Sequence, residues 1–219
     1  MRQPVSQKMT VAILGASGAT GRHLVSTALD RGHRAVAFVR RPGAFAPRDG
    51  LTEVVWPEVT DAAALTRALP GAGAVISALG GAGKGPTTVC TDGVRSAVTA
   101  MRTTGVTRLI AVSAHGVLET HDRSLYSRAV WAGVAERMRD KETMEPLITA
   151  SGLTWTIVRP PKLSDHQATG KFAVGTDLPI RVWSSVGRAD LAAFLIDEAL
   201  TPRYERAHPR ITGQAGCAA

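Results

Sequence analysis

The chain has 219 residues, of which 44% are hydrophobic and 20% are charged; this composition favours a globular protein and excludes wholesale disorder, collagen and coiled coils. Its 26 lysines and arginines exceed its 18 aspartates and glutamates, which gives a net charge of +8. Because these basic residues are scattered, without an RNA-binding aromatic signature or a helix-turn-helix pattern, the charge favours an anionic small molecule or a solvated surface over direct nucleic-acid binding.

Short apolar runs alternate along the chain with longer segments of helical pattern. Such runs are typical of strands that are buried on both faces of a parallel sheet. The predicted strands are residues 10–14, 35–39, 53–56, 74–78, 108–112 and 154–158, and the predicted helices are residues 19–31, 61–68, 87–104 and 127–150. Repeated strand–helix–strand units predict an α/β, doubly wound parallel sheet, the Rossmann fold, with ligand sites at the carboxyl ends of its strands.

The last third of the chain changes character after Pro160 and Pro161. A polar stretch reaches Gly175, and a short strand over residues 180–183 and a helix over residues 188–200 are predicted to follow. This part is too short to bury a large core alone. We therefore expect one domain over residues 1–219, in which residues 160–187 form a small C-terminal lobe, the covering segment, over the substrate.

Apolar stretches and cysteines indicate the setting of the protein. The most apolar uncharged stretch, residues 71–83, is interrupted by five glycines and is shorter than the roughly 20 residues of a membrane span. Residues 1–10 do not resemble a signal peptide. Only Cys90 and Cys217 are present, so no disulfide framework or zinc-ligand spacing can be built. A cytoplasmic protein without a membrane span is expected.

Residues 15–21, Gly-Ala-Ser-Gly-Ala-Thr-Gly, carry the strongest chemical signal. They follow the first predicted strand and open the first helix. Gly15 suits a tight turn, Gly18 a close approach of the backbone to a ligand, and Gly21 close helix packing. Free backbone amides would then face a pyrophosphate. Three glycines alone also occur in ordinary loops, but this context favours dinucleotide binding.

The second predicted strand ends in Arg40 and Arg41. Proteins that bind NAD usually place a carboxylate there to hold the ribose 2′-hydroxyl. Two guanidiniums instead suit a 2′-phosphate, because they form charge-assisted hydrogen bonds with it. The sequence therefore predicts NADP(H), with assistance from Arg22. A solvated turn at Arg40 and Arg41, and an exposed helix position at Arg22, are the alternatives.

Four motifs together resemble a known family. They are residues 15–21, residues 39–42 (Val-Arg-Arg-Pro), residues 110–114 (Ile-Ala-Val-Ser-Ala) and residues 151–160 (Ser-Gly-Leu-Thr-Trp-Thr-Ile-Val-Arg-Pro). The chain from residue 11 to about residue 200 resembles the atypical short-chain dehydrogenase/reductases, in the NAD(P)H-binding, NmrA-like group and its biliverdin-IXβ reductase (flavin reductase) branch. That group includes reductases, isomerases and non-catalytic redox sensors.

The resemblance extends the expected cofactor site beyond the glycine loop. It implies that residues 78–80 pass the phosphates and ribose, that Asp61 lies near the adenine, and that Ser113 and Ala114 lie beside the nicotinamide. It also implies that Asp165 and the neighbouring residues 170–171 close over the substrate. The expected cofactor contacts are Gly15, Ser17, Gly18, Ala19, Thr20, Gly21, Arg22, Arg40, Arg41, Asp61, Ala78, Leu79, Gly80, Ser113, Ala114, Pro160 and Pro161.

The family's Tyr-x-x-x-Lys motif is incomplete in this chain. Lys141 occupies the position of the helical lysine, but Arg137 stands where the tyrosine is expected. Tyr126 lies 13 residues after Ser113, yet the residue four positions beyond it is Val130. The usual proton donor for carbonyl reduction, a tyrosine whose pKa is lowered by lysine, is therefore absent.

The remaining catalytic candidates are Ser113, His115 and Lys141. Ser113 can donate one hydrogen bond to substrate or nicotinamide, and His115 can titrate near neutral pH; a loop histidine without a role is the alternative for His115. Expected substrate contacts are His115, Asp165 and His166. The six histidines never fall at i, i+4 on a helix or beside clustered acids, so no metal site is expected.

These observations favour an NADPH-dependent reductase that transfers a hydride to a planar conjugated or aromatic small molecule, such as a flavin, a tetrapyrrole, a quinone or a polyketide-like metabolite. The missing tyrosine leaves two alternatives open. One is a non-catalytic NADP(H)-sensing regulator that binds a protein partner, and the other is an isomerase or cyclase on the same fold.

Overall fold

A computed structural model describes residues 8–81, 85 and 87–213 of the chain. Residues 1–7, Cys217 and part of the apolar stretch at 71–83 lie outside these described residues. The central sheet is parallel, and its strands are β1 (Thr10–Leu14), β2 (Arg34–Val39), β3 (Leu51–Val55), β4 (Ala74–Ser77), β5 (Arg108–Val112) and β6 (Thr154–Val158). The six predicted strands are confirmed, with ends within two residues of the expected ones.

The strand order is β3-β2-β1-β4-β5-β6, which confirms the doubly wound fold. The chain runs from β1 outward to β2 and β3, returns to β4 beside β1, and then continues outward to β5 and β6. The carboxyl ends of β1 and β4 therefore flank the point at which the winding direction reverses. Open α/β sheets bind their ligands at this point.

Helices cover both faces of the sheet. In the described residues they are α1 (Ala19–Asp30), α2 (Ala62–Ala68), α3 (Val89–Thr104), α4 (Leu125–Thr149) and α5 (Arg188–Leu200). The apolar faces of α1 and α5 share one core, and those of α2, α3 and α4 share the other. Because the sheet lies between two cores, its strands are apolar without alternation.

Strand β1 shows how this arrangement uses the sequence. Val11 and Ile13 belong to the core beneath α1 and α5, whereas Ala12 and Leu14 belong to the opposite core, and all four side chains are fully buried. Successive side chains of a strand point to opposite faces. An uninterrupted apolar run is therefore what a central strand of this sheet requires.

Short strands follow the main sheet. They are β7 (Lys162–Ser164), β8 (Phe172–Gly175), β9 (Ser185–Gly187) and β10 (Arg210–Gly213). Strand β7 pairs with β9 in parallel, and β8 pairs with β10 in antiparallel fashion. Phe172 and Val174 pack against the core beneath α1 and α5, so the covering segment shares the core of the main sheet.

The strand predicted over residues 180–183 is wrong. These residues lead into a turn, in which the amide of Ser184 donates to the carbonyl of Arg181 and the amide of Arg181 donates to Ser184 Oγ. Val182 and Trp183 are exposed, with 51% and 73% of their surface accessible. The pattern is apolar, but none of the described strands pairs with these residues, and the strand begins only at Ser185.

The chain returns to the main sheet after α5. Residues 207–210 lie along the outer edge of β6, where the amide of Ile157 donates to Ala207 and the amide of Arg159 donates to Pro209. At the other end of β5 and β6, the buried Arg108 pairs with Glu198 of α5 at 2.8 Å. Within the described residues, no helix is both long and apolar enough to span a bilayer.

Candidate functional site

The turn between β1 and α1 has the geometry that its glycines predict. Gly15 has a φ of +76°, and a Cβ atom there would lie 2.9 Å from the carbonyl oxygen of Ala78. A Cβ atom at Gly21 would lie 2.2 Å from the carbonyl oxygen of Gly15. Side chains at both positions are therefore sterically excluded, which allows α1 to begin close against the sheet.

The start of α1 offers free hydrogen-bond donors. Its N-cap residue is Gly18, which has no side chain to accept from the first turn, and that turn contains no acidic residue. The first amides of a helix have no partner within the helix and carry a partial positive charge. The start of α1 therefore fits a phosphate group, and the amides of Ala19, Thr20 and Gly21 are the ones available.

A cavity of about 610 Å³ opens beside this turn, at the reversal point of the sheet. The carboxyl ends of β1, β2 and β4 form its floor, and the segment before α3 forms one wall. Its lining residues are Gly15, Ser17, Gly18, Phe38, Val39, Arg40, Trp56, Pro57, Glu58, Val59, Ala78, Leu79, Gly80, Gly81, Gly85, Thr87, Thr88 and Val89. The volume and position suit an elongated ligand such as a dinucleotide.

The three arginines predicted to contact the cofactor occupy different positions. Arg40 lines the cavity, whereas Arg41 is exposed and lies outside its lining. Arg22 donates to the carbonyl of Ala44 at 3.0 Å and lies over the ring of Phe45. Residues 44 and 45 belong to the loop between β2 and β3. Glu53 of β3 also holds this loop, because its carboxylate accepts the amides of residues 43 and 45. Arg40 is therefore the arginine placed to meet a ligand.

Asp61 has a structural contact in this structure. Its carboxylate accepts the amide of Ala64 at 3.0 Å and so caps α2, and its carbonyl accepts the indole N–H of Trp56. The cavity is lined on this side by Trp56, Glu58 and Val59 rather than by Asp61. The sequence predicted a helix that starts at Asp61, but it did not predict that the Asp61 side chain caps this helix.

The second half of the site lies at the carboxyl ends of β5 and β6. The amide of Ser113 donates to the carbonyl of Val158, and the amide of His115 donates to the carbonyl of Pro160. These two bonds continue the β5–β6 ladder beyond the strands. They bring Ser113, His115 and the Pro160–Pro161 pair to one edge, while Ala114 is half-buried between them.

Two polar side-chain atoms at this edge have no partner in the described part of the chain. Ser113 is 3% exposed and His115 is 6% exposed, yet neither Ser113 Oγ nor His115 Nδ1 makes a hydrogen bond there. Buried polar groups in proteins are almost always hydrogen-bonded. Two such atoms two residues apart are available for hydrogen bonds with a ligand.

His115 is held in its neutral form. Burial is the main cause that lowers its pKa to about 4, and the positive charge of Arg210 adds to the effect. The imidazole is therefore uncharged at neutral pH and can offer a hydrogen bond, but it does not supply the proton of an imidazolium there. This lowers the support for His115 as the proton donor.

Tyr126 lies against His115, which the motif spacing did not predict. The two rings are 5.2 Å apart between centroids, and Tyr126 is buried. Burial raises the pKa of the Tyr126 hydroxyl to about 12, so it stays protonated at neutral pH. The site thus contains a tyrosine, but not one paired with a lysine four residues later.

Helix α4 explains why this tyrosine and the lysine are separated. Val134 has φ −142° and ψ 35°, so the helix is broken between Tyr126 and Lys141. Beyond the break, the buried carboxylate of Asp140 accepts the amides of Cys90 and Thr91 at the start of α3. Lys141 Nζ then donates to the carbonyl of Val112 at 2.9 Å, next to Ser113.

A buried network of charged side chains lies directly after β6, next to Pro160. Arg159 pairs through Nε and Nη2 with Glu145 at 3.1 and 2.5 Å, and also contacts the carboxylate of Glu119. Burial opposes the charge of Arg159, but these carboxylates outweigh it and raise its pKa. The network fixes the chain direction into Pro160.

The remaining substrate candidates lie in the covering segment. Asp165 is exposed and pairs with Arg188 at 2.6 Å, and His166 is exposed. Asp190 accepts the amides of residues 169 and 170, so it holds the loop before β8. In the described residues, no three histidine, cysteine, aspartate or glutamate side chains are grouped so as to hold a metal ion.

Comparison with known proteins identifies a family for most of the chain. The model of a family described as NAD(P)H-binding matches residues 15–202. A Bacillus subtilis protein named as an uncharacterized sugar epimerase, YhfK, is 32% identical over 178 residues, which are 78% of this chain and 79% of that protein.

Solved structures share the fold. ChuY from Escherichia coli, described as an anaerobilin reductase, has a TM-score of 0.81 and 24% identity, and the match covers 96% of this chain and 100% of that one. The oxidoreductase YlbE from Lactococcus lactis has a TM-score of 0.80 and 18% identity, and the match covers 94% and 91% of the two chains.

Proposed function

Because the chain belongs to the NAD(P)H-binding family, we propose that it is an NADPH-dependent reductase that transfers a hydride to a planar conjugated or aromatic small molecule. The observation that carries the proposal is the pair of buried, unpartnered polar atoms on Ser113 and His115, at the same sheet edge as the glycine turn. A dinucleotide in the cleft and a substrate at this pair would lie side by side along the carboxyl edge.

NADPH is favoured over NADH by the charge at the end of β2. Arg40 lines the cavity, and no aspartate or glutamate occupies the end of β2, where an acid would hold a 2′-hydroxyl. A guanidinium beside a 2′-phosphate forms charge-assisted hydrogen bonds. Arg22 supports the loop that follows Arg40 through its contacts with residues 44 and 45.

The bound dinucleotide supplies the hydride, and the chain supplies orientation and hydrogen bonds. Ser113 donates to the substrate or the nicotinamide, while the neutral His115 and the protonated Tyr126 bound the substrate on its other side. Lys141 holds the end of β5 through the Val112 carbonyl. Solvent supplies the proton that accompanies the hydride, because burial raises the pKa of the Tyr126 hydroxyl to about 12, too high for an efficient proton donor at neutral pH.

A planar substrate is supported by comparison rather than by side chains alone. ChuY, which has the same fold, is described as an anaerobilin reductase. The family resemblance of the sequence motifs points to the same chemical class. Flavins, tetrapyrroles and quinones accept a hydride without the tyrosine-assisted protonation of a carbonyl, which fits Arg137 at the usual tyrosine position.

A regulator that senses NADP(H) is the second candidate function. It is favoured by one observation, namely that the Lys141 amine donates to a backbone carbonyl instead of facing a tyrosine hydroxyl. Such a protein would bind the dinucleotide without oxidising it. Turnover separates the two candidates.

Calorimetric titration with NADPH and with NADH tests the cofactor assignment. We expect NADPH to bind more tightly than NADH. The Arg40→Ala substitution should weaken NADPH binding by roughly 10- to 150-fold, the equivalent of about 1.5 to 3 kcal/mol, and should change NADH binding little. Arg48→Ala is the control, because Arg48 is exposed and pairs with Asp30 at 2.6 Å. Equal affinity for both cofactors in the unmodified protein would contradict the assignment.

NADPH absorbance with FMN, biliverdin and quinones as acceptors tests the reaction class. Oxidation of NADPH by at least one planar acceptor is expected. Tight NADPH binding without oxidation in the presence of any of these acceptors would favour the regulator instead.

A further inference from the structure

Arg210 is the first residue of β10 and lies beside the substrate edge. Its backbone forms an isolated parallel β-bridge with that of Arg159, and the amide of Arg159 donates to the carbonyl of Pro209 at 2.9 Å. Arg159 directly precedes Pro160, the residue that receives the amide of His115. The segment that contains Arg210 therefore lies next to the end of β6, on the edge opposite to the one that pairs with β5.

The two neighbouring arginines differ in how their charge is balanced. Arg159 contacts two carboxylates, those of Glu119 and Glu145. Arg210 is half-buried, donates to the carbonyl of Leu178 at 3.1 Å, and has no carboxylate within ion-pair distance in residues 8–81 and 87–213. A carbonyl accepts one N–H of a guanidinium, but it leaves the positive charge and the other donors available.

The charge of Arg210 reaches the His115 imidazole. After burial, the positive charge of Arg210 is the largest cause that lowers the pKa of His115. The charge of Arg159 also lowers this pKa, whereas that of Asp122 raises it. The half-buried Arg210 thus lies near a histidine whose Nδ1, like the neighbouring Ser113 Oγ, has no hydrogen-bond partner in the described part of the chain.

We propose that Arg210 binds an anionic oxygen group, a carboxylate or a phosphate, on the substrate that occupies the Ser113–His115 edge. The guanidinium offers charge-assisted hydrogen bonds to such a group, which are stronger than neutral ones. The substrate is then a planar acceptor that carries an acidic group. This inference rests on the proposed function only for the location of the substrate.

Arg210 also connects the bound group to the covering segment. Its bond to Leu178 holds the loop between β8 and β9, and β10 itself pairs with β8. An anion on Arg210 would therefore be recognised by the same side chain that fastens the loop. Recognition of the acidic group and placement of the covering segment are coupled through one residue.

Two matched pairs of compounds test the proposal. FMN is compared with riboflavin, and biliverdin with its dimethyl ester, by fluorescence titration in the presence of NADP⁺. We expect the acidic member of at least one pair to bind roughly tenfold or more tightly, and Arg210→Met to reduce this preference to about one. The FMN pair reports on phosphate and the biliverdin pair on carboxylate.

The controls separate charge from structure. Arg210→Lys should keep part of the preference for the acidic probe. Arg203→Met, which removes an exposed arginine that also follows α5, should keep all of it. If Arg210→Met does not fold, the unmodified protein still gives a test, because the preference should fall as salt rises from about 50 to about 500 mM.

The proposal is overturned if charged and neutral members bind equally, if neither acidic probe binds, if the preference survives in Arg210→Met, or if it is independent of salt. Cofactor titration is performed separately. Loss of NADPH binding or oxidation with a retained preference for acidic probes would contradict the proposed function alone, and the reverse result would contradict only the role of Arg210.

Discussion

Ser113 carries a buried hydroxyl that has no hydrogen-bond partner among the residues the structure describes. Desolvating such a group without a hydrogen bond costs free energy, typically about 1 to 3 kcal/mol. A protein that only needed stability would gain from alanine at this position. The hydroxyl is therefore best explained by a ligand that it meets, and stability and activity should respond to its removal in opposite directions.

Ser113→Ala should lower turnover by roughly tenfold or more, the equivalent of about 1.4 kcal/mol of transition-state stabilisation. Because an unpaired hydroxyl is removed, the free energy of unfolding should stay the same or rise by up to about 1 kcal/mol. Steady-state kinetics and urea unfolding measure the two effects.

Ser151→Ala is the matched control. Ser151 is also buried, but its Oγ accepts the amide of Leu153 at 3.2 Å, and it precedes β6, at the end of that strand opposite to the site. It should lose about 1 kcal/mol of stability and keep its turnover. Wild-type turnover in Ser113→Ala would remove Ser113 from the reaction.

At the scale of elements, the turn between β1 and α1 depends on atoms that come closer than a side chain permits. At Gly21 the nearest obstacles to a Cβ atom are backbone carbonyls of Gly15 and Ala16, which cannot move without displacing β1. The position of α1 relative to the sheet is thus set by the absence of one carbon atom.

Gly21→Ala should lower the free energy of unfolding by about 2 to 3 kcal/mol and weaken dinucleotide binding, because α1 must move away from the turn. Gly133→Ala is the control, since a Cβ atom there would meet nothing within 4 Å. That variant should be as stable as the unmodified protein or slightly more stable. Thermal unfolding with and without NADPH checks both, and unchanged stability of Gly21→Ala would show that the turn can relax.

At the scale of the whole molecule, three histidines in different regions share one property. Burial is the main cause that lowers the pKa of His33, His115 and His208, with the value for His115 reaching about 4. Their unfolded-state pKa is about 6.5, so the unfolded chain binds more protons than the folded one between these values. Folding stability must therefore fall as the pH falls from about 6.5 towards 4.

Replacing His115 by glutamine should make this dependence shallower. Since one pKa unit corresponds to about 1.36 kcal/mol, the difference in unfolding free energy between the two proteins should change by about 3 kcal/mol from pH 7 to pH 4. His166→Gln, at an exposed position of the covering segment, is the control and should keep the wild-type slope. Urea unfolding at a series of pH values measures this, and parallel curves for His115→Gln would contradict the buried, neutral state of His115.

The fold was predictable because its signals are local and repeated. Central strands such as β1 are apolar on both faces, and the glycines of residues 15–21 occur directly between a strand and a helix. The strand predicted over residues 180–183 failed for the opposite reason. The apolar residues there have no pairing partner among the described strands, and strand pairing depends on the whole sheet rather than on local sequence.

The site was predictable only in part. Ser113, Arg40 and Lys141 follow from strand ends and a motif, and the structure brings them to the carboxyl edge. Tyr126 and Arg210 could not be placed, because the first depends on a break in α4 and the second on the return of the chain along β6. Both are long-range effects without a local sequence signal.

The break at Val134 has a consequence for how the protein can vary. A fixed spacing of four residues between a tyrosine and a lysine has meaning only on an unbroken helix. Here each part of α4 is anchored separately, the first by Tyr126 against His115 and the second by Asp140 at the start of α3. We therefore expect insertions or deletions near residue 134 to leave both anchors in place, so that the first part of α4 can vary without a change in the dinucleotide turn.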